Sequence, residues 1–441
     1  MSFIIILFCL LLLILLISYV KVDAFLSLLI MSIAMAIFLG IPLNQIPAVV
    51  EKGIGSILGN LTLIIVFGAM LGKLVAESGA AQKIAEVMVN VMGVKNIQWG
   101  LMIAGFIVGI PLFYGVGFVL LVPIIFSIVY QYKFPAVYIG LPMLAALSVA
   151  HGFLPPHPSP VALVSIFDAN MGITLILGIV IACPAIILGG PIFSKALKNI
   201  KSGPLKLFDA GKSESNQNYK KPSKANSFLS ATLPVFLLII VTVIPYTFTS
   251  TEGLASGILS LISAPSIVML LSLIIATYTL GIKQGRSIKE IMLVYTDAVK
   301  DISMILLIIA GSGIFKEVME TSGVSLELAN AMETFPVHPL ILAWLMAGII
   351  RGCIGSATVA ALTAAGVILP LATRMGVNPN LMVLSLGAGS LLFSHVNDSG
   401  FWLFKEYFNL SIKDTLCSWS VMEIIVSVVG LFGVLILNVI M

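Results

Sequence analysis

Charge is what this sequence lacks most. Aspartate, glutamate, lysine and arginine make up 10% of its 441 residues, where a soluble domain carries about 25%. That shortage excludes an ordinary water-soluble globule. Cysteine is also scarce: Cys9, Cys183, Cys353 and Cys417 stand singly in apolar sequence and form no CxxC pair. Such spacing argues for packing rather than a disulfide framework or a thiolate metal site. There are four histidines and no HExxH, so neither a metal nor an organic cofactor is expected. The first apolar run has no basic segment before it and no A-x-A site after it, so it reads as a retained first helix rather than a signal peptide.

Long uncharged stretches are abundant, including Phe3 to Val20, Asn96 to Tyr132 and Phe134 to Phe167. A helix that crosses a bilayer needs roughly 20 apolar residues, and several of these runs could hold more than one. The 38 glycines and 21 prolines suit membrane helices, since barrels show short alternating segments instead. The expectation is an all-α polytopic membrane protein with about ten to twelve crossings, embedded in a lipid bilayer.

The net charge of +4 is uneven. Residues 195–224 carry eight lysines against Asp209 and Glu214, which is +6 and leaves −2 for the rest. A short basic loop between membrane segments is not a nucleic-acid patch; the positive-inside rule places it in the cytoplasm. Lys283, Arg286 and Lys289 read the same way, and the acidic stretch Glu317 to Glu333 reads as an external loop. Lys73 with Glu77, and Lys316 with Glu320, have the four-residue spacing of helix-surface salt bridges. Asp168 and Glu423 read as interfacial anchors.

Residues 198–226 form the one credible linker. They divide the chain into an N-terminal transmembrane repeat, 1–197, and a C-terminal one, 227–441. At an offset of 244, Gly68-Ala-Met-Leu-Gly-Lys-Leu-Val-Ala-Glu-Ser-Gly79 overlies Ser312-Gly-Ile-Phe-Lys-Glu-Val-Met-Glu-Thr-Ser-Gly323. The same shift places Ala85 on Ala329, Met88 on Met332 and His151 on His395. The charge pattern puts the two repeats in opposite orientations, the plan of many secondary transporters with broken or re-entrant helices.

Four interruptions carry the candidate chemistry. Gly352-Cys-Ile-Gly-Ser-Ala-Thr358 opens a small-residue helix beside Arg351. Free N–H groups at its start, with Ser356 and Thr358, suit a small anionic solute such as a carboxylate, and Arg351 is a counter-charge. Close helix packing is the competing explanation. Pro111-Leu-Phe-Tyr-Gly-Val-Gly117 is its counterpart, offering Tyr114 and the backbone of Gly115; a simple kink would look the same. His151 to Pro160 holds four prolines and two histidines. His151 and His157 could bind a proton or a hydroxyl, or merely meet water at the interface. Ser394-His-Val-Asn-Asp-Ser-Gly400 gathers His395, Asn397, Asp398 and Ser399. Asp398 or His395 suits proton coupling and Asn397 and Ser399 suit substrate hydroxyls; a capping turn is the alternative.

Ser394-His-Val-Asn-Asp-Ser-Gly-Phe-Trp-Leu-Phe-Lys-Glu-Tyr-Phe408 resembles the C-terminal signature of the gluconate permease family of proton symporters. So do His151-Gly-Phe-Leu-Pro-Pro-His-Pro-Ser159, Gly355-Ser-Ala-Thr-Val-Ala-Ala361 and Gly311-Ser-Gly-Ile-Phe-Lys316 with Ser322-Gly323. The resemblance implies proton-coupled uptake of gluconate or a related sugar acid across a bacterial inner membrane, with protons as the coupling ion. It also implies membership of a wider ion-transporter grouping with inverted repeats and elevator-like transport, and hence a homodimer. Relatives take idonate, other hexonates or D-serine, so a D-serine or hydroxy-acid permease is the alternative. One departure matters: the family segment like Leu112-Phe-Tyr-Gly-Val-Gly-Phe-Val-Leu-Leu121 usually has glutamate where this chain has Gly115. If that glutamate carries the proton, this chain uses another group or couples poorly. Sodium coupling, a passive channel and an intramembrane enzyme built on Ser159 and His157 are the remaining rivals.

Overall fold

The computed structural model describes residues 2–202, 219–247, 257, 261–324, 337–396 and 398–441, and no strand occurs among them. In hydrocarbon a helix satisfies its own backbone, so an apolar chain folds this way. The first half runs through α1 (Ser2–Leu15), α2 (Ala24–Phe38), α3 (Ile46–Glu77), α4 (Ala80–Met92), α5 (Ile97–Gly109), α6 (Tyr114–Tyr132), α7 (Ala136–Phe153), α8 (Pro158–Ile166) and α9 (Met171–Ile187). The second runs through α10 (Lys224–Thr247), α11 (Pro265–Ala276), α12 (Ile288–Thr321), α13 (Pro339–Ile354), α14 (Ala357–Arg374), α15 (Pro379–Ser390), α16 (Ser399–Tyr407), α17 (Ile412–Thr415) and α18 (Val421–Ile440). Side chains fix several starts: Asp23 accepts from the N–H groups of Phe25 and Leu26, and Ser287 with Glu290 forms a capping box.

Shifted by 244 residues, α3 would occupy 290–321, where α12 lies, and α5, α6 and α8 fall close to α13, α14 and α16. The element order of the two halves therefore recurs at the offset seen in the sequence. Most of the linker, together with Ala329, Met332 and Asn397, lies outside the described residues.

Among the described residues, seven helical runs are long and apolar enough to span a bilayer, or up to nine if two bent pairs each count as one span. The hydropathy expectation of roughly ten to twelve crossings is one for the whole chain. Apolar stretches such as Ala24–Phe38 and Pro339–Ile354 form shorter helices, below the length of a full span. The bends are sharp, 47° within α3 and 112° between α4 and the helix ending at Gly109.

α3 and α12 pack lengthwise. Their crossing is backbone on backbone: a Cβ on Gly53 would lie 2.7 Å from the Ile314 Cα, and one on Gly313 would run into the Gly53 carbonyl oxygen. A methyl group at either glycine would push the helices apart. This packing corrects two charge expectations. Lys316 does meet Glu320, at 3.6 Å, but Lys73 reaches across to Asp301 at 2.7 Å and Glu77 to Arg286 at 3.4 Å. Glu317, expected in a loop, is on α12, buried, and paired with Lys52 at 2.7 Å. Arg286 Nη2 also donates to the Glu77 carbonyl oxygen at 2.6 Å, closing the end of α3. Arg286 is largely covered but its partner Glu77 meets solvent, and pairs open to water contribute at most about 1 kcal/mol. Arg286→Ala should therefore leave the melting temperature of the detergent-solubilised protein nearly unchanged; a large drop would show that this end of α3 depends on it.

Candidate functional site

Each helix break has a local cause. Pro111 lacks an N–H and stops α5, and α6 restarts at Tyr114. Gly355 takes a left-handed conformation, φ 80°, at the end of α13, and the Ser356 hydroxyl caps α14 by accepting from the Val359 N–H. The chain between α15 and α16 ends at Asp398, whose carboxylate accepts from the Gly400 N–H at 3.1 Å. The first residues of α6, α14 and α16 all border one cavity of about 440 Å³, within the roughly 300–1,000 Å³ usual for small-molecule sites.

Its lining brings together Tyr114, Gly115, His151, Arg351, Ser356, Thr358, Asp398 and Ser399 from the sequence expectations. Three helix N-termini around one space supply unpaired N–H groups and positive dipole ends. Arg351 is 5% exposed and Asp398 7%. Arg351 Nη2 bonds Asp398 Oδ2 at 2.5 Å, and Nη1 donates to the Gly355 carbonyl oxygen. Ser394 Oγ also donates to Asp398 Oδ2, and itself accepts from Trp419 Nε1 at 2.8 Å. Asp398 is thus an ion-pair partner with both oxygens engaged.

The two other histidines of the motifs lie outside the lining. His157 Nε2 pairs with the Gly109 carbonyl oxygen at 2.6 Å, and its ring packs on His151, with centroids 5.0 Å apart. His395 Nε2 pairs with the Gly352 carbonyl oxygen at 2.7 Å. Both pin one break to the helix that ends at another. Ser159 Oγ is buried with no partner, so no Ser159–His157 pair forms. Among the described residues no three metal-ligating side chains gather.

Four buried polar atoms of the lining residues have no partner: Tyr114 Oη, His151 Nδ1, Arg351 Nε and Glu423 Oε2. Glu423 corrects the sequence reading. It is no interfacial anchor; it is 1% exposed and lines the cavity, with Oε1 accepting from Ser148 Oγ at 2.6 Å. The available signal was its isolation, since no other ionisable side chain follows it in the apolar run to residue 441. Asp301 and Ile305 of α12 close the remaining side, with Lys73 behind Asp301.

Gly115 sits at the rim, and a Cβ there would meet nothing within 4 Å. Glycine is therefore not required for packing. Gly115→Ala should fold with its thermal stability intact or slightly raised, by up to about 1 kcal/mol in a helix; a strongly destabilised variant would contradict the open space.

The solved structure of the Alcanivorax borkumensis YdaH transporter superposes with a TM-score of 0.64 over 94% of this chain and 97% of that one, at 14% identity. That of Neisseria gonorrhoeae MtrF, described among antimetabolite efflux pumps, gives 0.65 over 89% and 84%, also at 14% identity. These likenesses concern the fold. Among sequences, the high-affinity gluconate transporter of Escherichia coli (strain K12) is 43% identical over 97% of both chains. The L-idonate transporter of the same organism is also 43% identical, over 97% of both. The gluconate permease of Bacillus subtilis (strain 168) is 44% identical over 96% of both. The GntP permease family matches residues 1–440, and this multi-pass membrane protein belongs to it.

Proposed function

We propose that this protein is a secondary active transporter that takes up gluconate or a related small sugar acid together with protons, by alternating access across a bacterial inner membrane. The observation that carries the reading is the convergence of three helix N-termini and a buried arginine on one cavity. Such a site attracts one carboxylate group. The carboxylate would approach Arg351 and the start of α14 at Ser356 and Thr358. Tyr114 Oη and His151 Nδ1, which lack partners, and Ser399 would meet the hydroxyls of a polyol chain. The names of the relatives at 43–44% identity agree with this substrate class.

Arg351 and Asp398 balance each other when the cavity is empty. An incoming carboxylate adds a negative charge at membrane depth, which is costly unless compensated. A co-transported proton supplies that compensation. Two halves of matching element order, which the charge pattern of the sequence sets in opposite orientations, support a mechanism in which they rearrange around a fixed site.

The test is uptake of radiolabelled D-gluconate into proteoliposomes, with and without an inward proton gradient. Accumulation driven by the gradient and competed by hexonates is expected. Uptake that follows sodium and ignores pH would overturn the coupling, and inhibition by D-serine alone would overturn the substrate class.

A further inference from the structure

The cavity holds two buried acids, and they differ in what surrounds them. Both oxygens of Asp398 are committed: Oδ2 to Arg351 and Ser394, Oδ1 to the Gly400 N–H. A proton on Asp398 would displace a donor and leave Arg351 a buried charge without its partner, a costly state. Glu423 has one neutral donor, Ser148 Oγ, on Oε1, and nothing on Oε2. Oε2 is therefore the carboxyl oxygen of this buried pair that can take a proton without breaking an existing bond. The third acid of the lining, Asp301, is half-exposed and paired with Lys73.

The charged and titratable groups that face Glu423 come from four elements: Tyr114 on α6, His151 on α7, Arg351 on α13 and Asp398 at the start of α16. Of the other helices packed against α18, α15 brings no ionisable side chain and α9 only the exposed Cys183. Glu423 also has a direct structural tie to the ion pair. Trp419 Nε1 and Ser420 Oγ, one turn before it, hold Ser394, and Ser394 holds Asp398. These two residues belong to a π-helical turn, Leu416–Ser420, a feature frequent at functional sites.

From this geometry we propose that Glu423, positioned by Ser148, is the group that binds and releases the transported proton, while Asp398 serves as the resident partner of Arg351. The proton arrives from water on the outer side, sits on Oε2 while the substrate carboxylate occupies Arg351, and leaves to cytoplasmic water. The inference rests on the proton-coupled reading above.

Proteoliposomes carrying the parent chain, Glu423→Gln and Glu423→Asp separate the two. The parent concentrating gluconate under a proton gradient establishes coupling; a parent that does not concentrate it removes both the coupling and this role. Glu423→Gln should reduce uptake to equilibration with no concentration inside. Gluconate counterflow should persist in it at a reduced rate that no longer varies with pH. Glu423→Asp should restore gradient-driven accumulation with a displaced pH profile, a response that a purely structural role would not give. Accumulation by Glu423→Gln at the parental level would overturn the proposal, as would a Glu423→Asp pH profile superimposable on the parent's.

Discussion

Arg351→Gln will impair both transport and stability while Asp398→Asn mainly weakens the fold, and the double variant will recover stability without recovering transport. The Arg351–Asp398 ion pair is 2.5 Å long and both partners are buried. Removing one member leaves the other as an unpaired buried charge, which costs about 3–5 kcal/mol. Each single variant should therefore melt well below the parent in detergent. Removing both charges avoids that penalty, so the double variant should melt close to the parent. Transport obeys a different rule. The substrate carboxylate needs a cation, and each charge-assisted bond lost is worth about 1.5–3 kcal/mol, or roughly tenfold to a hundredfold in uptake. Every variant without Arg351 should show that loss at least. Normal gluconate uptake by Arg351→Gln would remove the arginine from substrate binding. A double variant less stable than either single one would show that the residues are held by something other than each other.

Gly72→Ala should cost nearly as much, although Gly72 touches no substrate. A Cβ at Gly72 would stand 2.1 Å from the Pro111 carbonyl oxygen. Neither group is the movable end of a side chain, so the backbone must shift. Overpacking of this kind costs about 1–3 kcal/mol. The functional cost is greater, because Pro111 opens the break that leads into Phe113, Tyr114 and Gly115 at the cavity. A displacement near 1 Å in a binding constellation can cost about a hundredfold. Gluconate uptake should fall far more than the melting temperature suggests. A Gly72→Ala protein with parental uptake would show that α3 can yield without moving the break.

Much of this was legible in the sequence because membrane chains are written under strong constraints. The shortage of charge and the long apolar runs dictate helices, and the prolines and glycines at 111–117, 154–160 and 352–358 mark where those helices stop. The repeat offset was legible because α3 and α12 share landmarks such as Ser78-Gly79 and Ser322-Gly323, where both glycines adopt positive φ. The positions of the shorter apolar helices were not, because hydropathy cannot distinguish a full span from two apolar half-helices. The pairing of Lys73 and Glu77 was misread for a related reason: a four-residue spacing reports neighbours on one helix and says nothing about a second helix lying alongside. Glu423 was passed over because an acid near the start of an apolar helix usually meets headgroups. Only the fold reveals that Ser148, 275 positions earlier, waits for it.

That separation has a bearing on how the protein is made. The groups lining the cavity lie between Phe113 and Glu423, so the cavity cannot form until Glu423 has left the ribosome. Tyr114, Ser148 and His151 enter the bilayer early and must persist there with their polar atoms unanswered by the second half. The early helices therefore have to be apolar enough to insert on their own account. At the cavity, the first half supplies only Tyr114, Ser148 and His151 as side-chain polar groups, and the buried salt bridge and Glu423 come from the second half.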